Sequence, residues 1–295
     1  MSRNGLTGIA DAECSIDMKS SNSLVPIDSN KPFLKWAGGK FKIIQRILAE
    51  LPEGKRLVEP FLGSGAVFLN AEYDEFLLAD GNADLINLFL QVQQHGADFA
   101  DYASSLFMPE NNTEEAFYEF REEFNTTADI ARKSALFIYL NRHCFNGLYR
   151  CNSKGRFNVP FGRYAKPAFP LKELLSFHQK SQGAIFVHQD FLTTMDQARV
   201  GDVVYCDPPY APLTPTANFS SYTSVGFNQK EQERLAHKAC ELQERGVKVV
   251  ISNHDTSFTR SIYQSARIVS FDVQRFISSK AKERNKAAEL VACYE

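Results

Sequence analysis

From about residue 32 onward, apolar and polar positions switch between a two-residue and a 3.6-residue period. A short apolar run over 56–60 leads into FLGSGA, and AVFLNAEY (66–73) then reads as helical. A second strand over 76–79 stops at Asp80, and NADLINLFLQVQQ (82–94) continues as an amphipathic helix. TEEAFYEFREEF (113–124) and ARKSALFIYLNR (131–142) extend the helical pattern, whereas 143–169 is irregular and full of Gly, Pro, Asn and aromatic residues. Strand signals return in AIFVHQD (184–190), DVVYCD (202–207) and VKVVISN (247–253), the last preceded by the amphipathic helix QKEQERLAHKACELQERG. Two late runs, RIVSFDVQRF (267–276) and AELVACY (288–294), suit a closing antiparallel pair. Strands alternating with helices predict an α/β fold with an open, mostly parallel sheet. The expected organisation is a core of residues 31–92 and 183–295, an inserted helical region over 93–182, and a flexible extension over 1–30.

Composition adds few exclusions. The chain has 295 residues, 44% of them hydrophobic and 23% charged, enough for a sizeable core. A net charge of −2 predicts no indiscriminate polyanion binding. Cys14, Cys144, Cys151, Cys206, Cys240 and Cys293 lie scattered without a C-x-x-C pair, which reads as reduced thiols in a cytoplasmic protein rather than disulfides or a zinc site. No apolar run reaches the roughly 18 residues of a membrane span, and the polar N-terminus lacks a signal-peptide core.

The charge distribution changes this picture locally. Between Ile130 and Lys172 there is no Asp or Glu, while Arg132, Lys133, Arg142, Arg150, Lys154, Arg156, Arg163, Lys166 and Lys172 all fall there. Phe145, Tyr149, Phe157, Phe161 and Tyr164 interleave them. Basic groups for phosphates and guanine edges, Asn for adenine edges and rings for unstacked bases are the parts of a nucleic-acid reader. A basic run is also often a solvated face, the simpler account of Arg132 and Lys133.

Three stretches carry candidate chemistry. Gly63 and Gly65 sit between a strand and a helix, where glycine permits a tight turn and close approach by a ligand and the helix N-terminus favours polar or negative groups. Asp80 ends the following strand, where nucleotide-binding α/β folds place an acid for ribose hydroxyls; capping the next helix is its other reading. PFLKWAGGK (32–40) holds the chain's only tryptophan, Trp36, which suits covering an adenine or a sulfonium, and Lys40, which suits a carboxylate. A P-loop fits badly, because Phe41 follows Gly39-Lys40 and Leu34 stands where the first glycine belongs. Finally, DPPY (207–210) ends an apolar strand. A plain strand-end turn uses Asp and Pro this way, but methylation of an exocyclic amine demands the same parts. That nitrogen is conjugated into its ring and needs acceptors for its hydrogens. The Asp207 carboxylate and the rigid Pro208 carbonyl suit that task, Pro209 stiffens the loop, and Tyr210 offers a face to an extruded base. A zinc deaminase, which also attacks exocyclic amines, lacks its H-x-E and C-x-x-C signature here.

Together FLKWAGGK, VEPFLGSGAVFLN, LADGNADLI, REEFN, LNRHCFNGLYRCNSKGRFNVPFGRY, VVYCDPPYAPL and ISNHD resemble the Dam-like DNA adenine-N6 methyltransferases over about residues 31–295, in that family's α arrangement. The resemblance implies a Rossmann-like methyltransferase fold, S-adenosyl-L-methionine as donor, adenine N6 in duplex DNA as acceptor, GATC as target and no metal. It assigns Trp36, Lys40, Asp80, Asp190 and Asp207 to the cofactor, and Asp207, Pro208 and Tyr210 to catalysis. Lys35 falls on the first base pair, and Asn146, Leu148 and Arg150 on a hairpin reading later bases. Arg121, Arg142, Asn152, Asn158 and Arg163 fall at phosphates or groove edges. Phe145 stands where a close relative has a tyrosine that fills the gap left by the flipped base, and Ala165 where it has a basic residue. No obligate protein partner is implied, and a monomer in solution is expected. The alternatives are an amino-methyltransferase of cytosine N4, RNA or a glutamine amide, disfavoured by the long basic insert and the leading Asp, and a non-catalytic DNA-binding regulator on the same fold.

Overall fold

The computed structural model describes residues 29–210, 227–274 and 286–295. Residues 1–28 of the expected extension, the APL that ends VVYCDPPYAPL and the last two residues of RIVSFDVQRF lie outside these. Among the described residues seven strands form one sheet: β1 (Arg56–Glu59), β2 (Glu75–Asp80), β3 (Ile185–His188), β4 (Asp202–Cys206), β5 (Lys248–His254), β6 (Arg267–Gln274) and β7 (Lys286–Tyr294). Their spatial order is β3-β2-β1-β4-β5-β7-β6. The first five run parallel, and β7 pairs antiparallel with both β5 and β6, the closing pair expected from RIVSFDVQRF and AELVACY. The chain thus builds outward from β1 in one direction and restarts at β4 in the other. In such sheets the crevice at the strand-order reversal, outside the carboxyl ends of the strands, is where ligands bind.

Both faces of the sheet are covered, and the alternation along each strand divides the core in two. Leu57, Leu78, Val203, Tyr205, Val250 and Val291 join one buried cluster, while Val58, Leu77, Val204, Cys206, Ile251 and Leu290 join the other. On the first face pack α1 (Ile44–Glu50), α2 (Ala83–Ser104) and α5 (Leu171–Lys180), with α3 (Glu114–Thr126) and α4 (Ile130–His143) extending that layer. On the second lie α6 (Phe191–Asp196), α7 (Gln229–Glu244) and α8 (Ser257–Ile262). The long helices begin where local chemistry dictates: the side chains of Asn82, Thr113, Asp129 and Asn228 each accept backbone N–H groups at their N-termini.

Helices α2 to α5 and the irregular 144–169 segment all fall between β2 and β3. The expected division at 92/93 falls inside α2, which kinks at Gly96. There His178 Nδ1 of α5 takes the Val92 carbonyl at 2.9 Å. Two nested antiparallel bridges, Cys144 to Phe161 and Cys151 to Phe157, give the irregular segment a hairpin-like shape.

One expectation fails. AVFLNAEY is a series of turns, not a helix. Ala66, Val67, Phe68, Leu69 and Ala71 are all buried, so no solvent-facing stripe exists, and Asn70 turns its amide onto the Ala66 and Asn30 carbonyls. No helix dipole therefore stands behind the glycine turn.

Phe177 of α5 packs against Phe33, Phe68, Phe89 and Phe186, stacking on Phe89 at 4.7 Å. Phe177→Ala is expected to lower the free energy of unfolding by about 3–5 kcal/mol, read from urea unfolding; a loss under 1 kcal/mol would show that the site collapses around the truncation.

Candidate active site

Three neighbouring strands, β2, β1 and β4, end in or directly before an acid: Asp80, Glu59 and Asp207. Apolar side chains bury the strand bodies, and the acid that closes each lies at the carboxyl end of the sheet. Asp80 bridges two backbone turns: Oδ2 accepts Gly63 N–H at 2.9 Å and Oδ1 accepts Asn82 N–H at 2.9 Å. Asn82, not Asp80, caps α2, so the acid secures the glycine turn instead. Gly63 has φ +51°, and a Cβ there would lie 3.0 Å from Trp36 Nε1. The indole lies directly over the turn and stacks in turn on Tyr149 at 5.9 Å.

Glu59 is the feature the sequence reading passed over. It is 2% exposed and its Oε1 finds no hydrogen-bond partner among the described residues. Burial, followed by the Asp207 charge, pushes its carboxyl well above the ordinary range. The available signal was the one used for its neighbours, an acid closing an apolar strand.

Asp207 is held by two donors on one oxygen. Lys40 Nζ lies 2.7 Å from Oδ1 and the Ser252 hydroxyl donates to it at 3.1 Å. Lys40 is itself buried, bonds the Gly38 carbonyl at 2.6 Å and sits 4.4 Å from the Tyr210 ring centroid. Burial raises the Asp207 carboxyl from its ordinary value, and the Lys40 charge and both hydrogen bonds pull it back. The two prolines that follow have no N–H, so at these two positions the backbone can be fastened only through its carbonyls. Gln232 Nε2 donates to the Pro209 carbonyl at 2.8 Å. Its own Oε1 accepts from Asn253 Nδ2 at 3.0 Å and the Tyr263 hydroxyl at 3.3 Å, and Asn253 closes the ring on Tyr263 at 3.1 Å. All three are essentially buried. The clamp takes the Pro209 carbonyl and leaves that of Pro208 without a partner among the described residues. Tyr210 stands edge-on to His254 at 4.4 Å and donates its hydroxyl to Glu289 at 3.2 Å.

An aromatic shelf, three acids, a buried ammonium and a carbonyl-bearing loop are thus gathered at the sheet's reversal point. The family model of the D12 class N6 adenine-specific DNA methyltransferases matches residues 36–277. The chain belongs to this family. It is 51% identical over 266 residues to a DNA adenine methylase of Serratia marcescens, covering 90% of this chain and 98% of that one. It is 48% identical to the DNA adenine methylase of Escherichia coli K12 and 46% to that of Vibrio cholerae, each over 90% of this chain and 96% of the relative.

Within this methyltransferase, the structure brings Trp36, Lys40, Gly63, Gly65, Asp80 and Asp207–Tyr210 to one edge. Asp190 lies past β3 on the same edge and is exposed; its Oδ1 caps α6 by accepting Leu192 N–H at 2.9 Å. The expected DNA-facing residues divide. Phe145 is 51% exposed, and Asn146 beside it holds φ +56°. Arg150 and Asn158 are exposed and half-buried and bond each other at 2.8 Å. Arg163 is exposed, with Glu114 at 2.9 Å. Asn152 spends its side-chain oxygen on the N–H groups of Lys154 and Arg156. Arg121 bonds the Val159 carbonyl at 3.3 Å, and Arg142 turns inward to the Phe33 carbonyl. Leu148 is half-buried against the core. The segment that is acid-free in sequence is not acid-free in space, since Glu114, Glu122 and Glu123 of α3 pair with Arg163, Arg156 and Arg132.

Sequence reasoning also missed Gln232, Ser252, Asn253 and Glu289. Gln232 lies on the apolar face of α7, three positions before Leu235, and that misplaced amide was its only signal. Gln232→Leu strands Asn253 and Tyr263 and is expected to destabilise the protein by about 1–3 kcal/mol. It should also lower kcat, by up to about 100-fold, with a smaller change in KM. An unchanged kcat in the folded variant would show that the Pro209 clamp does not set the loop's geometry.

Proposed function

We propose that this protein transfers a methyl group from S-adenosyl-L-methionine to N6 of an adenine extruded from duplex DNA, with GATC as its target and the cytoplasm as its site of action. The observation that carries this reading is the loop at 207–210, where the Asp207 carboxylate is followed directly by a Pro208 carbonyl that has no partner among the described residues, on a clamped backbone. Under this reading residues 31–92 and 183–295 are the catalytic part, 93–182 is the target-recognition region, and the enzyme acts as a monomer.

The residues present fit the donor. A buried carboxyl oxygen at Glu59 without a partner among the described residues, Asp80 at the glycine turn and Asp207 suit a ligand bearing an ammonium and ribose hydroxyls. Trp36, Lys40, Gly63, Gly65, Asp80, Asp190 and Asp207 would hold it. When bound, it supplies a methyl group on a positively charged sulfur. The chain's own groups prepare the acceptor. Tyr210 offers its ring to the adenine face, with its hydroxyl tethered to Glu289. Asp207, its Oδ1 occupied by Lys40 and Ser252, presents its other oxygen to one N6 hydrogen, and the Pro208 carbonyl takes the second. Drawing on both hydrogens gives the nitrogen the lone pair that its ring otherwise withdraws, and neither acceptor rearranges as charge develops. Asp207, raised by burial, is placed to receive the proton released as the new N–C bond forms.

The DNA contacts assigned to Lys35, Arg121, Arg142, Phe145, Asn146, Leu148, Arg150, Asn152, Asn158 and Arg163 belong to the same reading. It is supported most directly by the exposed Phe145 ring beside Asn146. Arg121, Arg142 and Asn152 serve first to build this surface, since their polar atoms bond the protein's own backbone.

DNA from cells expressing the chain should resist a nuclease that cuts unmethylated GATC and yield to one that requires the methylated site. Asp207→Ala should reverse both results while retaining duplex binding; methylation persisting near the wild-type rate would remove Asp207 from the chemistry. A second test uses pH. The Ser252 hydroxyl lowers the Asp207 carboxyl, and the ionised form is the acceptor. Ser252→Ala should therefore move the acid limb of the kcat–pH profile to higher pH, and an unmoved limb would mean that another group controls it.

A further inference from the structure

Asn141, in the last turn of α4, is 3% exposed and lies more than a hundred positions from the segment it holds. Its Oδ1 accepts Lys35 N–H at 2.9 Å, and its Nδ2 donates to the Lys35 carbonyl at 2.8 Å and to the Gly147 carbonyl at 3.1 Å. One side-chain amide thus satisfies both backbone groups of residue 35, as a neighbouring strand would, and ties them to the turn between Phe145 and Leu148. Both donors of the amide are used. The contact is close-packed as well as polar: a Cβ on Gly147, where φ is +63°, would lie 2.6 Å from Lys35 Cβ and 2.5 Å from Lys35 Cδ. Further out, the Lys35 ammonium sits 4.7 Å from the Tyr164 ring centroid, and the Tyr164 hydroxyl accepts Asn146 N–H at 2.9 Å. Lys35 and the turn are therefore fixed to each other at three points, and the Asn141 amide and Gly147 are both buried.

We infer that Asn141 is a positioning residue for sequence selectivity: it holds Lys35 in register with the Asn146–Leu148 turn, so that two parts of the chain far apart in sequence read adjacent base pairs as one unit. The inference rests on the proposed methyltransferase reading and on the DNA-facing roles given there to Lys35 and the turn. No other side chain meets the same demand. Asp presents a carboxylate to two carbonyl oxygens, Gln places the amide one methylene too far, and Ala leaves the part-buried N–H and carbonyl of Lys35 and the buried Gly147 carbonyl without this partner. The direction of the amide also fixes which way Lys35 points, because residue 35 is gripped at N–H and C=O together and cannot rotate about its own axis.

The test uses the full chain and compares wild type with Asn141→Ala, Asn141→Asp, Lys35→Ala and the double variant Lys35→Ala/Asn141→Ala. The readout is the ratio of kcat/KM on a duplex carrying GATC to that on a duplex with its first base pair changed, at a temperature below each variant's unfolding midpoint. Phe177→Ala, destabilised by truncation of a buried ring that makes no hydrogen bond to Lys35 or the turn, controls for stability. The expected result is a fall of tenfold or more in the ratio for both Asn141 variants, no fall for Phe177→Ala, and a double variant no less selective than Lys35→Ala alone. If Asn141→Ala is unfolded at the assay temperature, Asn141→Ser takes its place in the cycle. Ratios within twofold of wild type, an equal loss in Phe177→Ala, or additive losses in the double variant would each overturn the inference. A wild-type chain that methylates no duplex would overturn instead the reading beneath it.

Discussion

The ammonium–carboxylate contact between Lys40 and Asp207 is the constraint around which the site is arranged. Neither charge is tolerable alone where it sits, because transferring an ion from water into the protein costs several kcal/mol unless a partner is close. The pair forces the segment carrying Lys40, which precedes the sheet, onto the loop that leaves β4. The Trp36 shelf, the glycine turn and the DPPY loop must therefore form together. Ser252 from β5 shares the same carboxylate oxygen, and Tyr205 bonds Ser252 from β4 at 3.0 Å, so the contact is braced from inside the sheet.

The clamp on the following loop solves a related problem. Consecutive prolines give a rigid path but remove the N–H groups by which loops are usually fastened. A buried amide on α7 reaches the second proline's carbonyl, and α7 can spare it because Asn253 and Tyr263 satisfy its other end. Rigidity in the loop is thus supplied by a helix on the far side of the sheet from the Trp36 shelf.

The strands, the long helices and the antiparallel closure were legible in the chain because burial there is local and periodic. Asp80, Asp207, Lys40 and Trp36 were legible because each breaks an apolar pattern at the end of an element. The turn series over 66–73 was misread because an all-apolar stretch satisfies a helical period without specifying one. Gln232, Asn141, Glu114 and Glu122 were not legible, since each acts on a partner 20 to more than 100 positions away. A polar residue on an otherwise apolar face states that a partner exists, but not which one.

The glutamates of α3 have a consequence for how binding would respond to salt. Affinity for a polyanion falls with salt in proportion to the counterions released when protein cations neutralise phosphates. Arg163 and Arg156 already carry counter-anions of their own, the carboxylates of Glu114 and Glu122. An arginine that swaps such a carboxylate for a phosphate frees a cation from the nucleic acid but leaves a glutamate to collect one. The net release is smaller than the number of phosphates touched. A count of ionic contacts taken from salt dependence would then fall short of the geometric footprint, by about one for each arginine that changes partner.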